Sequence, residues 1–310
     1  MRVLVTGAGG LAGRAMVNLV HGPEGEQEVF GVYRRNLPVP SDRFTPMKLD
    51  LTDREKTLAR VKDSEPEIII HLAGRNHGTL EELLSGNVIV TRNVLDAASA
   101  IRNQVRVIVI GSSAEYGYAG SGPIPESAPL RPVGGYGISK VAADLLARSY
   151  FMVRHLPVTV VRPFNLIGPG QSDTYVCGKI VKQVTEIEEG KREEINLSEI
   201  GSRRDFVDVR DLVHAIWGLA SLPEFPDRCA GKAFNAGSGK DHSVADILEI
   251  VRKITGKRYQ VLLPEREPPV PVPTQRSDNS LITATCGWKP AISLAQSLRD
   301  MLAFERGRTG

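Results

Sequence analysis

Tyr136 and Lys140 stand four residues apart in the stretch GGYGISK, residues 134–140. On a helix, positions i and i+4 share one face with neighbouring Cβ atoms, so a phenol and an ammonium at this spacing reach toward one cavity. A free tyrosine titrates at about 10, and a cation held beside it favours the phenolate, which brings proton exchange closer to neutrality. A solvated helix face would carry the same two residues. The rest of the chain decides between these readings.

A second group lies at the other end of the first half. The run VLVTGAGGLAGRAMVNLV sets Gly7, Gly10 and Gly13, with Leu11 among them, between a short β-rich run and a helical pattern. At such a junction backbone N–H groups and the helix dipole hold a pyrophosphate. The spacing is G-x-x-G-x-x-G rather than G-x-G-x-x-G, and a plain tight turn would use the same glycines. The end of the second strand reads Tyr33, Arg34, Arg35, Asn36. An acidic residue there receives a ribose 2′-hydroxyl, whereas arginine accommodates a 2′-phosphate, so NADP is expected ahead of NAD.

The elements that must position these groups alternate. RVLVTG, EVFGVYR, TPMKLDL, PEIIIHLAG, VRVIVIGSS and LPVTVVRPFN are short β-branched runs, separated by helical patterns such as LAGRAMVNLVHG and NVIVTRNVLDAASAI. Alternation of this kind predicts βαβ units: an α/β, Rossmann-type doubly wound parallel sheet over residues 1–165. After Asn165 the rhythm breaks into a Gly/Pro-rich loop, a helix over GKIVKQVTEIEEG and the stretch RRDFVDVRDLVHAIWGLA. A smaller, irregular substrate domain over 166–310 is expected, with a segment near 206–222 returning to the first domain. The Pro-rich LPEREPPVPVPTQ predicts an extended connection, not a central strand or helix interior.

Composition narrows the class. With 310 residues, 41% apolar and 24% charged, the chain is long enough for a substantial core. Its 39 basic and 36 acidic residues, net +3, are well mixed, which argues against a nucleic-acid partner. Cys177, Cys229 and Cys286 form no Cys-x-x-Cys pair, so neither a disulfide framework nor a zinc site is expected. No apolar run approaches a membrane span and the N-terminus lacks a signal-peptide pattern, so a cytoplasmic protein without a membrane partner is expected. The histidines, His71 and His77 included, lack metal-ligand spacing, and Trp217 and Trp288 read as packing residues.

TGAGGLAG, LDLTD with Asp50, HLAG at 71–74, Asn87 at the opening of a helix, GSSAEYG at 111–117 and YGISK together resemble the extended short-chain dehydrogenase/reductase family, the nucleotide-sugar epimerases, dehydratases and reductases. The resemblance covers nearly the whole chain. It implies that Tyr136 is the general acid or base, that Lys140 holds the nicotinamide ribose and lowers the Tyr136 pKa, and that Ser112 bonds the reacting oxygen, with Ser113 beside the substrate. It further implies that Asp50 and Leu51 flank the adenine and that Leu72 and Ala73 run along the cofactor. In the second half, RPFNLIGPGQS and RRDFVDVRD resemble the branch of this family that reduces GDP-4-keto-6-deoxy-mannose. By that resemblance Asn165 and Arg204 touch the substrate diphosphate, unless Arg204 is a structural ion pair with Asp205 or Asp208.

Two positions depart from the family pattern. Ala114 stands where dehydratases carry a catalytic acid, with Glu115 one place later, so elimination of water lacks its acid and base. Pro268 stands where relatives offer a further phosphate-binding arginine, with Arg266 two residues upstream. The implied activity is NADPH-dependent reduction of a C4 keto group on a nucleotide sugar by a homodimer. The alternative is a 4-epimerase with tightly bound NAD, against which Arg34 and Arg35 speak.

Overall fold

The structure, a computed structural model, describes residues 1–21, 27–35, 44–101, 105–265 and 272–309; Asn36, Arg266 and Pro268 lie outside the described residues. Seven strands form one all-parallel sheet: β1 (Arg2–Thr6), β2 (Glu28–Tyr33), β3 (Phe44–Lys48), β4 (Ile68–His71), β5 (Arg106–Ile110), β7 (Val158–Pro163) and β11 (Ala233–Ala236). Their order is β11-β7-β5-β4-β1-β2-β3. The six β-branched runs of the sequence are six of these strands. β4 and β7 are buried along their whole length, as parallel strands covered on both faces must be.

The helices are α1 (Leu11–Val20), α2 (Arg54–Asp63), α3 (Leu80–Leu84), α4 (Val90–Ser99), α5 (Gly134–Arg154), α6 (Val176–Glu188), α7 (Val209–Ala220), α8 (Phe225–Arg228), α9 (Val244–Thr255), α10 (Ser280–Cys286) and α11 (Leu294–Thr309). One face of the large sheet buries Val3, Val5, Ile68 and Ile70 against Met16 of α1 and Leu212, Ile216 and Leu219 of α7. The other face buries Leu4, Ile69 and Val107 against Val94 and Leu95 of α4 and Ala147 of α5. Alternation along each strand thus feeds two cores. The chain runs outward from β1 through β2 and β3, then restarts on the other side at β4, which makes the β1/β4 boundary the switch point where α/β sheets bind ligands.

The smaller lobe is built on short strands: β6 (Pro123–Ile124), β8 (Asn165–Ile167), β10 (Arg203–Asp208), β12 (Asp241–Ser243) and β14 (Thr274–Ser277), with β9 (Glu194–Asn196) pairing separately with β13 (Gln260–Leu262). Here Ile167, Ile180, Val184, Phe206, Ile247, Val251, Leu298 and Leu302 close a third core between α6, α9 and α11. The end of the Pro-rich run is a strand after all: Thr274 and Gln275 open β14, which has β10 on one side and β6 on the other. Pro273 directly precedes it, a position where a missing N–H costs no ladder bond. Among the described residues, no helix is long and apolar enough to cross a membrane.

Candidate active site

The glycine turn lies at the switch point and has the shape of a dinucleotide cradle. Gly7 follows β1 with φ +70°, and a Cβ there would stand 2.8 Å from the Ala73 backbone nitrogen. Gly13 is pressed onto the same turn, where a Cβ would come within 2.7 Å of Ala8 Cα. Only glycine permits both the left-handed backbone and the close approach. α1 starts at Leu11 with Gly10 as its N-cap, no side-chain cap and no acidic residue in the first turn, so its leading N–H groups face outward unneutralised. These features fit a pyrophosphate. Leu72 and Ala73 line the opposite edge, with Ala73 N–H donating to Thr6 Oγ1 at 3.1 Å.

The flanking positions are also near this cradle. Asp50 follows β3, and two bonds from Thr52, from its N–H at 3.0 Å and its hydroxyl at 2.8 Å, hold the carboxyl below the usual range. Leu51 is buried beneath it. Arg34 and Arg35 follow the end of β2 and are exposed, and among the described residues neither has an acidic partner at ion-pair distance.

Tyr136 and Lys140 occupy the first two turns of α5, whose start is set by Gly134 at φ +77°. Gly137, between them, admits the 112–117 loop: a Cβ there would stand 2.8 Å from the Ala114 carbonyl. That close contact brings the loop that carries Ser112 to the phenol, and the Ser112 hydroxyl is near enough to favour its ionised form. One expectation is corrected here. The Tyr136 pKa is not lowered; burial pushes it up to about 12. The reason is that the Lys140 ammonium is directed elsewhere, donating to the Ile110 carbonyl at 2.8 Å, and is itself pushed down to about 8 by burial.

Beneath the pair runs a buried polar chain. Asn87 does not open a helix as the sequence suggested: the helical chain already begins at Leu80, and Asn87 lies inside a π-turn, Ser85–Ile89. The widened turn directs its amide inward, where Oδ1 accepts from Arg75 N–H at 2.8 Å and Nδ2 donates to Ser139 Oγ at 2.8 Å. Ser139 donates in turn to the Tyr136 carbonyl. His71 lies between Thr6 Oγ1 at 2.7 Å and Thr91 Oγ1 at 3.1 Å. Thr91 spends its hydrogen on the Asn87 carbonyl, so His71 must carry its proton on Nε2. Burial lowers its pKa to about 3, and it stays neutral.

The smaller lobe supplies the facing wall. Asn165 opens β8, and its amide reaches the Asp205 carbonyl at 3.4 Å. Arg204 stands beside Gln275 in the β10–β14 register, so the two side chains leave the sheet on one face. Gln275 is buried and donates to the carbonyls of Ser113 at 2.8 Å and Gly117 at 3.2 Å, which places this face against the loop that carries Ser112 and the buried Ser113. Arg204 is half-buried and, among the described residues, pairs with neither candidate acid. Asp205 instead accepts from Ser238, Gly239 and Ser277, and Asp208 holds Arg210 and Ser297. At the cleft mouth Tyr175, the N-cap of α6, hydrogen-bonds Asn76 of the large lobe.

Asp144, Arg162 and Gln275 escaped the sequence reading, and Glu115 entered it only as the acidic residue one place after Ala114. Glu115, Asp144 and Arg162 form a buried cluster of ionisable side chains behind Ser112. Asp144 follows Lys140 by one helical turn, so a search for charged residues one turn from the catalytic candidates would have found it, and Arg162 opens the RPFN motif already quoted. Gln275 had no signal in the sequence. Among the described residues, no group of His, Cys, Asp or Glu is arranged to hold a metal ion.

With this geometry in view, comparison with known proteins is informative. The profile of the NAD dependent epimerase/dehydratase family matches residues 3–237. GDP-6-deoxy-D-mannose reductase of Pseudomonas aeruginosa is 29% identical over 314 residues, covering 97% of this chain and 96% of that protein. UDP-glucose 4-epimerase of Mycolicibacterium smegmatis is 28% identical over 322 residues, covering 100% of both. The structure of RMD from Pseudomonas aeruginosa complexed with NADPH superposes with a TM-score of 0.85 at 26% identity, covering 99% of each chain. The cradle at the switch point, the Ser112–Tyr136–Lys140 grouping and a match over most of the sequence converge: the chain is an enzyme of the extended short-chain dehydrogenase/reductase type and belongs to the NAD dependent epimerase/dehydratase family.

Proposed function

We propose that the protein reduces the C4 keto group of a 4-keto-6-deoxy nucleotide sugar with NADPH, taking GDP-4-keto-6-deoxy-D-mannose to GDP-D-rhamnose. The observation that carries the reading is the Ser112–Tyr136 hydroxyl pair with Ala114 beside it: a proton donor is in place and the acid needed for dehydration is not. When bound, the nicotinamide cofactor supplies the hydride; Gly7, Gly10, Leu11 and Gly13 would hold its pyrophosphate, Asp50 and Leu51 would flank its adenine, Leu72 and Ala73 would run along it, and Arg34 and Arg35 would hold its 2′-phosphate. Ser112 Oγ fixes the carbonyl oxygen. Tyr136 Oη donates the proton as the alkoxide forms, a task suited to a phenol that burial keeps protonated at neutral pH. Lys140 would hold the ribose.

Asn165 and Arg204 hold the substrate diphosphate. The Arg204 guanidinium is half-buried, pairs with neither Asp205 nor Asp208 and has the Glu199 charge only in its neighbourhood, so a phosphate would offset the cost of its burial. Arg204→Ala therefore raises KM for the nucleotide sugar at least about tenfold, while the NADPH Kd changes little. An unchanged KM with lower thermal stability would assign Arg204 to the fold instead.

The reading is tested by incubating the purified protein with NADPH or NADH and a panel of 4-keto-6-deoxy nucleotide sugars, following nicotinamide absorbance and identifying the product. Stoichiometric NADPH consumption, with NADH much weaker, is expected. The epimerase alternative has its support in the Mycolicibacterium smegmatis relative. It predicts sugar interconversion with no net change in cofactor.

The protein acts as a homodimer through α5. Ile138, Leu145 and Met152 recur every seven residues as one exposed apolar stripe, with Val153 beside it, and Met152 and Val153 are 73% and 77% exposed. Light scattering is expected to give twice the chain mass, and the Leu145→Glu/Met152→Glu variant the mass of a monomer.

A further inference from the structure

Behind Ser112 two carboxylates compete for one guanidinium. Arg162 is 2% exposed and gives Asp144 Oδ2 both its Nε–H, at 3.0 Å, and an Nη2–H, at 2.7 Å; its Nη1 goes to Tyr116 OH at 2.9 Å. Glu115 is 0% exposed. Its Oε2 lies 2.8 Å from Arg162 Nε, but the single hydrogen on that nitrogen is directed to Asp144, and Oε2 accepts no hydrogen bond. Its Oε1 accepts the Ser112 N–H at 2.7 Å, while Ser112 Oγ accepts from Ala114 N–H at 3.1 Å, a reciprocal cap that fixes the loop at the serine. The fit is tight enough that a Cβ on Gly111 would stand 2.6 Å from Oε1.

The other cations nearby do not relieve Glu115. Arg148 binds the far oxygen of Asp144 at 2.5 Å, and Lys140 donates to the Ile110 carbonyl. Among the described residues, the charged and titratable groups facing Glu115 are thus Arg162 from β7, Asp144, Lys140 and Tyr136 from α5, and Tyr116 on its own loop. A buried carboxylate oxygen without a donor, next to a second carboxylate, is strongly disfavoured; a proton placed between them turns repulsion into a hydrogen bond.

We infer that Glu115 is a neutral carboxylic acid at physiological pH and a positioning residue for the ketoreduction, its Oε2–H donating to Asp144 while its Oε1 holds the Ser112 backbone. Burial and the Asp144 charge together push its pKa up to about 8, in the same direction. The state has a catalytic consequence. An ionised Glu115 raises the Tyr136 pKa, so a neutral one leaves the phenolate produced by proton donation less opposed. The positioning role rests on the function proposed above; the protonation state does not.

The test compares the parent with Glu115→Gln and Glu115→Val. In infrared difference spectra at pH 7, Glu115→Gln is expected to lose a carboxylic-acid C=O band; loss of carboxylate bands overturns the inference. As a neutral isostere, Glu115→Gln should fold, keep the Ser112 amide protected from hydrogen exchange and retain kcat within about threefold. Failure to fold counts against the inference, because an ionised side chain would then be required. Glu115→Val should free the Ser112 amide to exchange and lower kcat about tenfold or more, with the NADPH Kd and the sugar KM within about twofold. An unprotected parent amide, or a Glu115→Val effect confined to KM, rejects the positioning role. If the parent reduces no keto sugar, the proposed function fails while the infrared and exchange results still decide the state of Glu115.

Discussion

Tyr136→Phe is expected to lower kcat for keto-sugar reduction by about 10² to 10⁴, the usual contribution of a positioned general acid, with little change in NADPH affinity or thermal stability. The substitution removes one hydroxyl from a half-buried site and leaves the aromatic packing intact. The loss should be confined to the proton-transfer step. Ser112→Ala in the Tyr136→Phe background should then cost much less than Ser112→Ala alone, because the two hydroxyls act on one oxygen as a unit. Steady-state kinetics with the ketoreductase assay checks both. A Tyr136→Phe variant that works at the parent rate would remove the tyrosine from the mechanism.

The second large effect concerns stability. Arg162→Met is expected to destabilise the fold by about 3–5 kcal/mol, read from denaturant unfolding, because Asp144 is left as a buried charge with the neutral Glu115 acid beside it and one cationic partner, Arg148, that is one-third exposed. Replacing both members, Arg162→Met with Asp144→Leu, should recover much of that loss, since the double change removes the uncompensated charge along with its partner. If the double variant is as unstable as the sum of the singles, the pair is not coupled and the cluster is held together by packing alone.

How far the sequence carried the structure depends on burial. β1, β4, β5 and β7 were legible because a parallel strand covered on both faces is a continuous β-branched run, and little else produces IIIH or RVIVI between turn residues. The glycine turn and the Tyr136–Lys140 pair were legible because spacing along one element sets their geometry. The smaller lobe was not. β10 reads RRDFVD and β14 reads TQRS, with charged or polar residues at most positions, because apart from Phe206 and Val207 their side chains serve the cleft and each other and not an apolar core. The state of Tyr136 was misread for a related reason. Spacing puts Lys140 on the same helix face, but only the fold shows that the Ile110 carbonyl takes its ammonium. Likewise Glu115, Asp144 and Arg162 come from three separate elements, and no local pattern announces that they meet.

The path of the chain limits how this protein can be divided or recombined. After the first lobe's six strands it leaves to build β8, α6 and β10, returns with α7 to cover the face that α1 packs on, and supplies β11 as the seventh strand before leaving again for β14. A fragment ending at residue 165 would therefore expose the apolar residues that Leu212, Ile216 and Phe234 bury, and would lack the strand beside β7. Neither lobe can be lifted out by a single cut. Grafting a new substrate lobe onto this cofactor lobe requires several junctions at once, so changes of sugar specificity are most accessible through side chains such as Arg204 and Gln275 and through the loops around them, not through exchange of whole domains.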